Sequence, residues 1–114
     1  MGVGHIKSWV MVTIDKTDQL KAAVAISPVA VAVEANISVF MPYTGGIITE
    51  GCGDYVNHAV VVVGYGTENG VGYFLVKNTW GPDWGEKGYV RIGDSEYPTG
   101  GICGILMDPS YPYS

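Results

Sequence analysis

Charge is scarce in this chain: 15% of its 114 residues are Asp, Glu, Lys or Arg, and six bases face eleven acids. The net charge of -5 argues against nucleic acid or an anionic membrane as a partner, because both demand a basic face. Long apolar runs are missing too. The richest stretch, Ala22 to Val33, is broken by Ser27-Pro28 and stops at Glu34, well short of the roughly 18–20 residues a membrane helix needs. Met1-Gly2-Val3-Gly4-His5-Ile6-Lys7 holds no secretory apolar core, and Ile6 stands where a myristoylation signal requires Ser or Thr. Targeting information is therefore expected on another segment, already removed, or never present. No set of His, Cys, Asp and Glu has metal-ligand spacing, and Thr44-Gly45-Gly46 is too generic to cradle phosphate, so neither metal nor organic cofactor is expected. Cysteine is limited to Cys52 and Cys103. One bridge is the single intramolecular pairing available, and closing a loop of about 50 residues stabilises by roughly 4 kcal/mol on the chain-entropy model. Two reduced thiols are the alternative. Asn36-Ile37-Ser38 is an acceptor triplet for N-glycosylation, and together with a bridge it leans towards an oxidising, secretory or lysosomal compartment.

What is present is apolar and turn-rich: 47% hydrophobic residues and 17 glycines, in a length that suits one domain with a modest core. Low charge also implies a surface that is partly apolar or covered by something else. Thr13 to Ala25 carries the one good helix signal. Thr17 or Asp15 can cap it, Leu20, Ala23 and Val24 share a face, and Ser27-Pro28 stops it. Beyond it the chain reads as strands. Val29 to Val33 alternates large and small residues, and Phe40 to Ile48 is a bent segment leading into a short strand. His58 to Gly64 is a strong strand, with Gly64-Tyr65-Gly66 and Glu68-Asn69-Gly70 supplying the turn. Gly72 to Asn78, Gly88 to Ile92 and Ile102 to Met107 are further strands. The pattern predicts a mainly β, α+β domain: a twisted antiparallel sheet curling into a half-barrel, with one early helix. No internal repeat, low-complexity tract or linker divides it.

The chemistry concentrates in two places. Asn57-His58-Ala59 opens one valine-rich strand, and Asn78 closes the next, twenty residues after the histidine. Alternation puts His58, Val60 and Val62 on one face and Phe74, Val76 and Asn78 on one face of the following strand. Paired strands can therefore set an imidazole beside a carboxamide. An amide that holds an imidazole in one orientation is the supporting half of a cysteine nucleophile's machinery. The plain reading of His58 is a strand-end histidine satisfied by a carbonyl. The plain reading of Trp80 and Trp84 is a turn, Gly81-Pro82-Asp83, pinned by core indoles.

The motifs weigh against the plain readings. His58-Ala59 with a valine-rich run to Gly64-Tyr65-Gly66, Lys77-Asn78-Thr79-Trp80-Gly81, Trp84-Gly85-Glu86 and Gly88-Tyr89-Val90-Arg91-Ile92 resemble the papain-like cysteine peptidases. So do Ser27-Pro28-Val29, Phe40 with Tyr43-Thr44-Gly45-Gly46-Ile47, Gly51-Cys52-Gly53, Gly101-Ile102-Cys103-Gly104-Ile105 and Ser110-Tyr111-Pro112, in that order. From Asp15 to Pro112 the likeness is nearly continuous. It implies that His58 is the catalytic base, Asn78 the residue that orients it, and Trp80 the indole that covers their hydrogen bond. It further implies that Trp84 walls the leaving-group side of the cleft. Ala32, Val56 and Ala59 would line the pocket for the second substrate residue on the acyl side, with Asp108 at its base, where an acid favours a basic side chain. The plain reading of Asp108, beside Pro109, is a turn residue. Cys52 and Cys103 correspond to a structural disulfide.

The departure from the family pattern is equally definite. The family's nucleophile sits in a Cys-Gly-(Ser/Ala)-Cys-(Trp/Tyr) block well upstream of its histidine. Here 57 residues precede His58, none before Cys52 is a cysteine, and neither Cys52 nor Cys103 lies in such a block. Gln19, the sole glutamine, falls on the helix and shows no sign of being an oxyanion donor. The resemblance therefore implies the right-hand, mostly β domain of a two-domain endopeptidase, inactive alone. Its partner would be a thiol-bearing left-hand domain docked on an apolar interdomain face, with a peptide as substrate once the two are joined. The alternative is a pseudoenzyme domain that uses the same face to bind another protein chain.

Overall fold

The computed structural model describes residues 8–11, 16–35, 38–53, 55–97, 100–107 and 110–113, the first and last of these segments as backbone only. Among the described residues seven strands form one sheet: β1 (Ser8–Met11), β2 (Val29–Val33), β3 (Ile47–Ile48), β4 (His58–Glu68), β5 (Val71–Lys77), β6 (Tyr89–Gly93) and β7 (Ser110–Tyr113). Their spatial order is β1-β7-β2-β4-β5-β6-β3, open at both ends. All neighbours are antiparallel except β3 and β6, which run parallel, a departure from the expected uniform pattern. The helix α1 spans Thr17–Val24.

The core follows from valine alternation. Val29, Val62, Val76 and Val90 stand in one row across β2, β4, β5 and β6, and each is fully buried. Phe74 and Ile92 form the next buried pair. In β2 the large residues Val29, Val31 and Val33 face this core while Ala30 and Ala32 lie half-buried on the other side. Leu20 and Val24 of α1 are buried in the same cluster, with Ala23 against its edge, as the helical spacing predicts.

Four elements differ from expectation. Strand β4 continues through Gly64-Tyr65-Gly66, and the turn is the two residues Asn69 and Gly70, at φ 53° and 82°, a left-handed pair suited to a tight hairpin. Val63 is an extra residue between the pairs Val62↔Val76 and Gly64↔Leu75, so the strand bulges there. The apolar run Ile102 to Met107 is not a strand but a 3-10 turn over Ile102–Gly104 followed by further turns. Gly100, Gly101 and Gly104, with Cys103 between them, all adopt positive φ (94°, 80°, 74° and 56°), which curls the backbone. The run still buries Ile102, Ile105 and Leu106, so its hydrophobicity was informative and its period was not. Strands β1 and β7 were not anticipated. Strand β2 meets β7 only at Ala30↔Ser110, and β1 pairs with β7 along Ser8↔Tyr113 to Met11↔Ser110.

The start of α1 is also capped differently. Thr17 is the first helical residue rather than the cap, and no side chain of the preceding Lys16 serves. The carboxylate of Glu96 accepts the Thr17 N–H at 2.8 Å, and the Thr17 hydroxyl donates to the carbonyl of Asp94. Asp15, the other expected cap, lies outside the described residues.

Candidate active site

The sheet register explains why His58 and Asn78 meet. Val61 pairs with Lys77 and Val62 with Val76. Continued by one step, that register sets Asn78 opposite Val60 and diagonal to His58, within reach on the same face. The contact is made: His58 Nε2 lies 2.7 Å from Asn78 Oδ1. Asn78 is held from two further directions. Its N–H donates to the carbonyl of Gly88 at 3.1 Å, and its Oδ1 accepts the N–H of Thr79 at 2.8 Å.

Elementary hydrogen-bond accounting turns this geometry into a tautomer for the neutral ring. The Thr79 N–H is an obligatory donor, so the carboxamide atom facing it is the oxygen. That oxygen also faces His58 Nε2, and an acceptor there requires Nε2 to carry the proton. In the neutral imidazole Nδ1 then holds the lone pair, and it has no hydrogen-bond partner among the described residues. The arrangement can take up a proton at Nδ1 while Nε2–H stays anchored. Asn78 Nδ2, in contrast, is a buried donor without a partner among the described residues, an omission that typically costs about 1–3 kcal/mol.

Aromatic rings enclose the pair. Trp80 stacks on the His58 ring, with centroids 4.9 Å apart and planes 27° from parallel. Phe40, fully buried, presents an edge geometry to both His58 (6.2 Å) and Trp80 (5.5 Å). Trp84 lies 5.0 Å from Phe40, 5.3 Å from Trp80 and 5.4 Å from Tyr43. Its indole Nε1–H donates to the carbonyl of Met41 at 3.0 Å, fixing the ring. The turn that carries Trp84 closes with Gly88 N–H donating to Trp84 O at 2.7 Å.

Behind the indoles stands a polar brace. Arg91 on β6 makes two parallel bonds of 2.9 Å to the Glu86 carboxylate and a third contact to Glu68. Glu86 also accepts the Gly46 N–H at 3.0 Å, and the Tyr43 hydroxyl donates to Gly46 O at 2.6 Å. The Arg91 hydrogen bonds hold the Glu86 carboxyl below the usual glutamate range. The same bonds raise the Arg91 guanidinium, and burial pushes the Tyr43 phenol up.

The remaining expected residues fall as follows. Ala32 and Ala59 are direct cross-strand partners, on the sheet face opposite His58, and Val56 is half-buried just before β4. Cys52 and Cys103 form a disulfide, spanning 51 residues, and Cys103 O accepts the Glu34 N–H at 2.8 Å. Gln19 sits on the exposed side of α1 beside Lys16, Asp18 and Glu96. Asp108 and Asn36 lie outside the described residues. Among the described residues no three of His, Cys, Asp and Glu converge as a metal site. The family likeness includes Phe40 but gives it no role, and neither Met41 nor the Thr79 amide receives one from the sequence. Phe40 had a signal, an aromatic inside a Pro- and Gly-bearing bend. The two main-chain groups had none.

A family model described as papain family cysteine protease matches residues 2–113. The chain belongs to the papain family of cysteine proteases. Among curated relatives, cysteine proteinase EP-B 1 of Hordeum vulgare is 48% identical over 111 residues, covering 96% of this chain and 30% of the relative. Germination-specific cysteine protease 1 of Arabidopsis thaliana is 50% identical over 94 residues, 82% of this chain and 25% of that protein. Among solved structures, the bromelain protease from Ananas comosus, in complex with the E64 inhibitor, superposes with a TM-score of 0.89 at 40% identity. That match covers 95% of this chain and 50% of bromelain. The mostly β fold with one helix is thus that of one half of a papain-like protease, and the chain spans under a third of these curated relatives' length.

Proposed function

We propose that the chain, as one domain, is the C-terminal portion of a papain-like cysteine endopeptidase and supplies the base and its orienting amide. The observation that carries this reading is the 2.7 Å His58–Asn78 contact beneath Trp80, with Nδ1 left without a partner among the described residues. His58 Nδ1 takes the proton of a thiol, and the resulting thiolate–imidazolium pair lowers the thiol's pKa and makes the sulfur nucleophilic near neutral pH. The thiolate attacks the scissile carbonyl, and imidazolium Nδ1–H then protonates the leaving amine. Water releases the acyl group with His58 again as base. Asn78 keeps the ring oriented throughout, and Trp80 excludes water from their bond. Trp84 walls the leaving-group side. On the family likeness, Ala32, Val56 and Ala59 line the pocket for the second acyl-side residue, and the same likeness assigns its base to Asp108, outside the described residues.

The 114 residues hold no free thiol, since both cysteines are bridged. The sulfur therefore comes from a left-hand domain that docks on this chain, and the chain alone hydrolyses no peptide bonds. The bridge suits the secretory pathway, lysosomal, vacuolar or extracellular. The test is to combine this chain with a thiol-bearing N-terminal domain of a papain-like protease and measure labelling by a thiol-directed peptidyl inhibitor. Labelling should appear with the wild-type chain and slow by roughly 10²–10⁴-fold with His58→Ala. A stable complex that fails to label ends the proposal.

A second reading is a non-catalytic binding subunit. One observation favours it: both sulfurs are consumed in the bridge, so the dyad has nothing of its own to activate. It predicts that His58→Ala leaves association with the partner chain unchanged and that the complex never labels.

A further inference from the structure

We infer that the main-chain N–H of Thr79 selects the imidazole tautomer of His58, making Thr79 a positioning residue that acts through Asn78. The inference deepens the reading of His58 as a base and depends on that reading only for its consequence. A carboxamide can sit in either of two orientations, related by exchange of its oxygen and nitrogen. In the observed one, Oδ1 accepts from both Thr79 N–H (2.8 Å) and His58 Nε2–H (2.7 Å), and Nδ2 is left buried and unpartnered.

The exchanged orientation would set Nδ2 against His58 Nε2. Nδ2 would then donate to the ring, the proton would move to Nδ1, and the lone pair a thiol needs would be gone. Nothing at the dyad itself forbids this. Either orientation gives His58 one hydrogen bond, and the orphaned position, now holding Nδ2, gains no partner whichever atom occupies it. Only the Thr79 amide breaks the tie. A main-chain donor cannot rotate away, and it would face a second donor at about 2.8 Å in the exchanged orientation. The Asn78 amide is itself tied to Gly88 O, so the side chain cannot escape by moving the strand end.

Thr79 is exposed, and its own side chain makes no part of this argument. Thr79→Ala keeps the N–H and should change nothing. Thr79→Pro removes it, and the residue before it, Asn78, directly follows β5, where a proline is tolerated better than within a strand or helix. The experiment is a long-range proton–nitrogen correlation on this chain above the imidazole titration, with His5→Gln identifying the His58 signals. The wild type and Thr79→Ala should show Nε2 protonated and Nδ1 unprotonated. Thr79→Pro should shift the tautomer ratio towards Nδ1–H by roughly tenfold, the weight of one net hydrogen bond. Adding Asn78→Asp to Thr79→Pro should restore Nε2–H, because a carboxylate offers only acceptors.

A wild-type His58 in the Nδ1–H form overturns the inference, as does an unchanged ratio in folded Thr79→Pro. If Thr79→Pro does not fold, the wild type decides through scalar coupling across the hydrogen bond from Thr79 nitrogen to the Asn78 side-chain carbonyl carbon. Its presence supports the assignment and its absence refutes it. These measurements need no nucleophile, so they can fail while reconstituted labelling succeeds, and the reverse.

Discussion

At the scale of single residues, Phe40 is the position most exposed to test. It is fully buried and touches the rings of His58, Trp80 and Trp84. Phe40→Ala should cost about 3–5 kcal/mol in urea denaturation, the range for deleting a core aromatic, and Phe40→Leu distinctly less. Trp80 is different because 39% of it stays exposed. Its removal should cost little stability but let water reach the His58–Asn78 bond. In a reconstituted enzyme Trp80→Ala should lower the labelling rate roughly tenfold, the effect of weakening one shielded bond. His58, Asn78 and Trp80 were legible in the sequence because their motif is local and ordered. Phe40 was not, because its role depends on three rings far along the chain.

At the scale of elements, two carboxylates join segments that the sequence leaves unrelated. Glu96 caps α1 in place of a local side chain, so Glu96→Gln should lower stability by about 0.5–2 kcal/mol and fray the helix by circular dichroism. Glu86 ties the Trp84 turn to Arg91 and to Gly46. Its carboxyl is held below the ordinary value by the Arg91 bonds, so the ion form is favoured in the fold. That contribution is present above the unfolded glutamate pKa of about 4.3 and is lost as pH falls through the lower folded value. Indole fluorescence should therefore show the Trp84 turn loosening in this acid window, and Glu86→Gln should flatten that limb. Because Glu86 and Glu68 remain partly in solvent, salt should soften the effect. The presence of β2, β4 and β5 was readable from valine alternation, though β4 runs on past the expected Gly64 to Glu68. The 3-10 turn at Ile102–Gly104 was not, since an apolar run of that length suits a strand equally well.

At the scale of the whole molecule, the Cys52–Cys103 bridge is the dominant constraint. It links the segment before β4 to the turn after β6, across 51 residues. Reduction should destabilise the chain by roughly 2–5 kcal/mol, read as a lower urea midpoint with reductant present. A protein that tolerates reduction without that shift would weaken the placement in an oxidising compartment. Large exposed apolar side chains, Ile26, Tyr55 and Tyr97 among them, accompany the low surface charge, in keeping with a chain that spans one half of bromelain's fold.

Sequence by itself determined the strand periods, the early helix, the histidine and asparagine on facing strands, and the count of two cysteines outside any nucleophile block. These are properties of local pattern and of residue count, which need no coordinates. Tertiary structure alone decided that β3 runs parallel to β6, that Glu96 caps α1, and that Phe40 packs against the imidazole and Trp80. It also holds the geometry from which the choice of protonated ring nitrogen is inferred. That choice rests on a main-chain amide meeting a side-chain oxygen, and a main-chain group has the same chemistry at every position until the fold gives it a direction.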